Sequence, residues 1–128
     1  MDDSLIRKIL SAGDLADRLL INELKIEHIP SKIDAIKAEN EAISEALQYL
    51  TNSVDQKILA SYMIELLLVL RRQWNLLDRL RESSISDAER GRCAVEAQDV
   101  NIERVAWKNK INKLAGSFIE HKQYGKLS

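Results

Sequence analysis

Helix breakers are scarce in this chain, which has one proline and four glycines among 128 residues. So few interruptions argue against a turn-rich β fold and for long helices. Cysteine is almost missing as well. The single Cys93 excludes an intrachain disulfide and a zinc site built from the cysteines of one chain, and it fits a reducing, cytoplasmic setting. No block of one charge sign occurs. Lys and Arg are interspersed among Asp and Glu for a net charge of −1, which gives no general attraction to nucleic acid or an anionic membrane. Long apolar runs are absent too. The longest, Leu66 to Leu70, falls far short of the ~20 residues that cross a bilayer. The start, Met1-Asp2-Asp3-Ser4, lacks the basic and apolar regions of a secretion signal. A soluble protein without membrane insertion is expected.

What is present reads as a folded domain. Hydrophobic residues make up 45% and charged residues 30%, outside the composition of disordered chains. A chain of this length is most simply one domain, burying roughly two-thirds of its unfolded surface. Its helix punctuation is legible. A first segment runs from about Asp14 to Ile29 and is closed by Pro30, which disfavours helix in the residue before it. Ser31 with Asp34 forms a capping-box variant that opens a second helix to about Leu50. Ser53 with Gln56 opens a third to about Arg81. Ser86 with Glu89 opens the last, which Gly116 stops after Ala115. A short N-terminal helix over Ser4 to Leu10 is expected to precede them. Four main helices with short links predict an all-α antiparallel bundle.

Periodicity assigns a use to each helix. Ile33, Ile36, Asn40, Ile43, Leu47 and Leu50 alternate spacings of three and four, the seam of a coiled-coil-like central hairpin with Asn40 in an a-type slot. The third helix carries Leu59, Tyr62, Met63, Leu66, Leu70 and Leu77 on one face, and Ile64 and Leu68 opposite. The first carries Leu15, Leu19, Ile26 and Ile29 on one face, and Leu20, Ile21 and Leu24 on the other. A helix apolar on two sides is central or meets a second subunit. Leu20, Leu24, Ile64 and Leu68 are therefore the expected interface of a homodimer or of a helical protein partner.

Polar groups on these apolar faces are the chain's most informative feature, because burying them is costly unless they are paired. Asn40 in the seam is expected to specify register, and its replacement by Ile to stabilise the bundle while loosening specificity. On the last helix Asn101, Arg104, Lys108 and Asn112 fall within an arc of roughly 80°, beside Trp107. One reading is a structural network tying this helix to Asp17, Asp78 or Glu65. The other is an anion pocket in which Arg supplies a planar fork and Lys a point charge.

Other candidates favour bland readings. His28 and His121 stand alone, without metal-ligand spacing, and Glu39, Glu41 and Glu45 read as a solvated face. No metal site or cofactor is expected. There is no glycine-rich phosphate loop and no Gly-x-Ser-x-Gly elbow. Cys93 reads as packing. Arg71, Arg72, Arg79 and Arg81 are diluted by Asp78, Glu82 and Asp87, so nucleic acid is not an expected partner.

Ser11 to Ile29, Gln73 to Arg81 and Asn101 to Asn112, taken in order, resemble a family of small, uncharacterised bacterial helical proteins. Ser11 to Ile29 is similar to its opening pattern, a Gly-Glu/Asp pair, then Asp-Lys, an apolar run and Glu-x-Lys-x-Glu-x-Ile. Gln73 to Arg81 resembles Leu-Trp-x-Ile-Glu-Asp-x-Ile-Arg. Asn101 to Asn112 resembles Asn-Asp-x-Arg-x-x-x-Lys-x-x-Ile-Asn, and Gly116-Ser117 and Lys122-x-Tyr124 close the match. Asp17, Glu23, Lys25, Asp78, Arg81, Asn101, Arg104, Lys108 and Asn112 are the polar positions carried over. The resemblance implies genes lying near glycosyltransferases and other cell-surface polysaccharide functions. This chain departs from the family at Leu77 and Ile102, where the pattern has carboxylates, and the departures favour an accessory role over acid–base or metal chemistry.

The leading expectation is thus a non-enzymatic helical interaction module assisting cell-surface polysaccharide assembly. The second is an anion- or nucleotide-sugar-binding protein or enzyme. Its pocket would be built from Asp17, Asp78, Arg81, Asn101, Arg104, Lys108 and Asn112.

Overall fold

A computed structural model describes residues 11–116. The segment Ser4 to Leu10 and the residues Ser117, Phe118, His121, Lys122 and Tyr124 lie outside the described residues. Within them four helices run up and down: α1 (Ala12–His28), α2 (Ile33–Thr51), α3 (Gln56–Arg81) and α4 (Asp87–Ala115). The all-α bundle expected from the sequence is present.

Caps explain most of the boundaries. Ser11 is extended and its hydroxyl accepts the Asp14 N–H, so α1 begins two residues earlier than periodicity alone suggests. It ends where Ile29 donates its N–H to the Lys25 carbonyl. Ser86 accepts the Glu89 N–H, as the sequence leads one to expect. Gly116 closes α4 in the left-handed region at φ 73°, a conformation that costs glycine nothing. Two expected boxes do not form. Pro30–Lys32 make a single 3₁₀ turn that absorbs Ser31, and Lys32 precedes α2 without a side-chain cap. Proline's fixed φ suits the first position of that tight turn. At α3 the cap is Asp55, whose carboxylate accepts the N–H groups of Lys57 and Ile58. Gln56 instead turns back to donate to the carbonyls of Thr51 and Val54. A carboxylate suits the positive end of the helix dipole.

The centre of the bundle is α1. Its buried residues are Ala12, Gly13, Leu15, Ala16, Asp17, Leu20, Asn22 and Leu24, which at ~100° per residue span roughly 220° of its circumference. It lies against α2, α3 and α4, while α3 and α4 form the most extensive helix pair. The seam of α2, with Ile36, Asn40, Ile43 and Leu47 buried, finds its close partner in α1. One hydrophobic core joins Leu15, Ala16, Leu20 and Leu24 of α1 with Ile43, Leu47, Leu59, Leu66, Leu70 and Ile111. This corrects the reading of Leu20 and Leu24 as interface residues. Leu24 is 1% exposed, and the second apolar face of α1 is covered by the chain's own α3 and α4.

Ile64 and Leu68 of α3 do face outward, at 58% and 51% exposure. Val95 and Ile102 of α4 are also exposed. Among the described residues no helix is long and apolar enough to cross a membrane.

Candidate functional site: a polar ladder between α4 and α1

Three side chains one turn apart on α4 reach across to the first half of α1. At the first rung the Arg104 guanidinium donates from Nε to Asp17 Oδ1 at 2.9 Å and from Nη2 to Asp17 Oδ2 at 2.6 Å. Its Nη1 donates to Gln73 Oε1 of α3 at 3.1 Å, so one side chain ties three helices. The planar fork matches both carboxylate oxygens, which fixes orientation as well as energy. Asp17 is only 6% exposed, and a carboxylate so placed requires such a partner.

At the second rung the Lys108 ammonium sits 2.9 Å from Asp14 Oδ1. Burial pushes the Asp14 carboxyl upward, but the hydrogen bond and charge of Lys108, with the hydroxyl and N–H of Ser11, outweigh it. The carboxyl is held below its ordinary range. At the third rung Asn112, 1% exposed, accepts the Gly13 N–H on Oδ1 at 2.6 Å. That N–H belongs to the first turn of α1, where no intrahelical acceptor exists. The opposite helix supplies it.

Gly13 is what permits the approach. A Cβ at this position would collide with the backbone carbonyl of Lys108 and lie 2.9 Å from Asn112 Oδ1.

The structure gathers Asp17, Arg104, Lys108 and Asn112, and leaves out the other expected members. Asn101 is exposed; beyond Asp17 the inward positions of α1 are Leu20 and Leu24, which give an amide nothing to bond. Asp78 and Arg81 pair with each other on the surface at 3.2 Å. Asp78 lies five residues beyond Gln73, a rotation of roughly 140° away from Arg104. Gly13, Asp14 and Gln73 are members that sequence reasoning passes over. A signal for one of them exists: Asp14 sits one turn before Asp17 on α1, as Arg104 does before Lys108 on α4.

Asn40 belongs to a second polar cluster. It is buried, accepts the Asn22 amide N–H at 2.8 Å and donates to Glu23 Oε1 at 3.3 Å. Asn22, also buried, is a partner that the α2 seam pattern does not reveal. Outside this pair Arg18 bonds Glu39 at 2.6 Å, and that contact, ahead of the other charges, lowers the Glu39 pKa.

The arginines of α3 form no bare basic row. Arg71 meets Glu27, Arg72 meets Glu103, Arg79 meets Glu82 and Glu89, and Arg81 meets Asp78. His28, exposed at the end of α1, stacks on Trp74 with ring centres 4.7 Å apart. Trp107 packs at a tilt on Tyr62 and lies under Lys110. Among the described residues no cluster of three or more His, Cys, Asp or Glu is placed to hold a metal ion.

Fold and site together define an all-α bundle whose inward cations are matched by carboxylates. No protein-family model, curated protein or solved structure matches the chain.

Proposed function

We propose that this protein is a non-catalytic helical interaction module that associates with a second copy of itself through the outward face of α3. The carrying observation is the pair Ile64 and Leu68, each more than half exposed one turn apart on a helix whose opposite side is core. An antiparallel crossing of two α3 helices sets Ile64 of one protomer against Leu68 of the other, the self-complementary arrangement a two-fold axis requires. Two side chains are far less than the ~800 Å² per partner of a stable interface. The association is therefore weak and concentration-dependent. The inferred setting is cytoplasmic, supported by the lone Cys93. A role beside cell-surface polysaccharide assembly rests on the resemblance of the three motifs alone.

The anion-pocket reading has less support. Arg104 and Lys108 each meet a carboxylate, and an incoming phosphate would have to displace Asp17 or Asp14 from its cation.

Sedimentation velocity over a wide concentration range tests the proposal. Wild type is expected to self-associate at high concentration, and Ile64→Glu with Leu68→Glu to remain monomeric with unchanged thermal stability. A wild type monomeric throughout would overturn the self-association.

A further inference from the structure

We propose that α2 is a detachable strap, which opens from α1 as a unit while α1, α3 and α4 stay assembled. Three separate features single it out. The first is connectivity. α1 packs closely on α2, α3 and α4, and α3 on α4, whereas the close helix partner of α2 is α1. Lifting α2 away leaves the α1, α3 and α4 contacts in place, together with the ladder of Asp17–Arg104, Asp14–Lys108 and Gly13–Asn112.

The second is the chemistry of the seam. Where α4 is tied to α1 by ion pairs, the buried tie of α2 is the neutral Asn22–Asn40 amide pair, flanked by bonds from Asn40 to the exposed Glu23 and from Asn22 to Glu39. Amides exchange such a bond for water with little net loss on opening. The outer Arg18–Glu39 pair is solvent-exposed, and exposed pairs hold weakly.

The third is the start of the helix. α1, α3 and α4 each begin with a side-chain cap from Ser11, Asp55 or Ser86, and α2, preceded by Lys32, begins without one. The links on either side, the 3₁₀ turn Pro30–Lys32 and residues 52–55, leave it bounded by non-α-helical joints. Ile36, Ile43, Ala46 and Leu47 oppose the opening because they are buried. The open state is consequently a minor one. In it the stripe of α1 that carries Leu15, Leu19, Asn22 and Ile26 loses the cover of α2.

Amide hydrogen exchange on the full chain, at increasing low denaturant, tests this. Amides from Ile36 to Leu47 are expected to share one protection level, more than about tenfold below the slowest amides of α3 and α4. Replacing both amides, Asn22→Leu with Asn40→Leu, is expected to slow exchange in α2 selectively. Equal protection of α2, α3 and α4 in the wild type would overturn the proposal. So would a double variant that slows all four helices alike.

Discussion

Arg104 and Asp17 stand 87 positions apart in the chain and meet through two hydrogen bonds of 2.9 and 2.6 Å between α4 and α1. Because fork and carboxylate are both planar, the pair sets the rotation of each helix about its own axis. Lys108 and Asn112 then fall opposite Asp14 and Gly13. The ladder is therefore a clamp that orients the bundle's central helix against α4.

Two glycines should respond to alanine with opposite signs. Gly13→Ala drives a methyl into the Lys108 carbonyl and the Asn112 side chain. Overpacking of this kind costs about 1–3 kcal/mol, more than the gain in helix propensity of about 1 kcal/mol. Gly91 in α4 has open space around its Cβ direction, so Gly91→Ala is expected to add about 0.4–1 kcal/mol. Urea unfolding of the two variants measures both.

Asn40→Ile is expected to destabilise the fold, contrary to what its seam position suggests in isolation. The change strips the buried Asn22 amide of the Asn40 oxygen that accepts its N–H at 2.8 Å. An unsatisfied buried donor costs about 1–3 kcal/mol. Replacing Asn22 by Leu as well removes the stranded group, so the double variant should recover the loss in full and unfold no earlier than wild type in the same titration.

Acid should weaken the second rung. The folded-state pKa of Asp14 is lowered, so its ionised form favours the native state. That contribution is complete above the unfolded carboxyl value of 3.8 and is lost as pH falls through it toward the lower folded value. The stability difference between wild type and Lys108→Met is expected to be full above about pH 5 and to shrink below 3.8. Chemical unfolding at a series of pH values reads it. A difference that grows on acidification would contradict the assignment.

Inorganic phosphate and nucleotide-sugars should leave the melting temperature unchanged at millimolar concentration, because the inward cations already face carboxylates. A saturable upward shift, abolished by Lys108→Met, would restore the pocket reading.

Much of the fold is legible in the chain, and particular residues show why the rest is not. Ser86 and Gly116 mark the ends of α4 because capping is local chemistry that spacing reveals. The start of α2 is illegible for the converse reason, since Pro30 redirects three residues into a tight turn. The inward aim of Arg104, Lys108 and Asn112 follows from helical periodicity. Which of their neighbours join them does not, because azimuth on one helix says nothing of what the facing helix offers. Asn101 shares their azimuth and stays exposed. Leu20 and Leu24 make the same point for apolar surface. A helix apolar on two sides serves equally at a bundle's centre or at a subunit boundary, and only packing shows that α1 is central.

The most direct test of the clamp is a double-mutant cycle by equilibrium unfolding, with Arg104→Met, Asp17→Leu and both together. Losing Arg104 strands a buried carboxylate and is predicted to cost about 3–5 kcal/mol, most of it recovered when Asp17 is also replaced by an apolar residue. An Arg104→Met variant as stable as wild type, with no coupling to Asp17, would show that the pair does not hold α4 to α1.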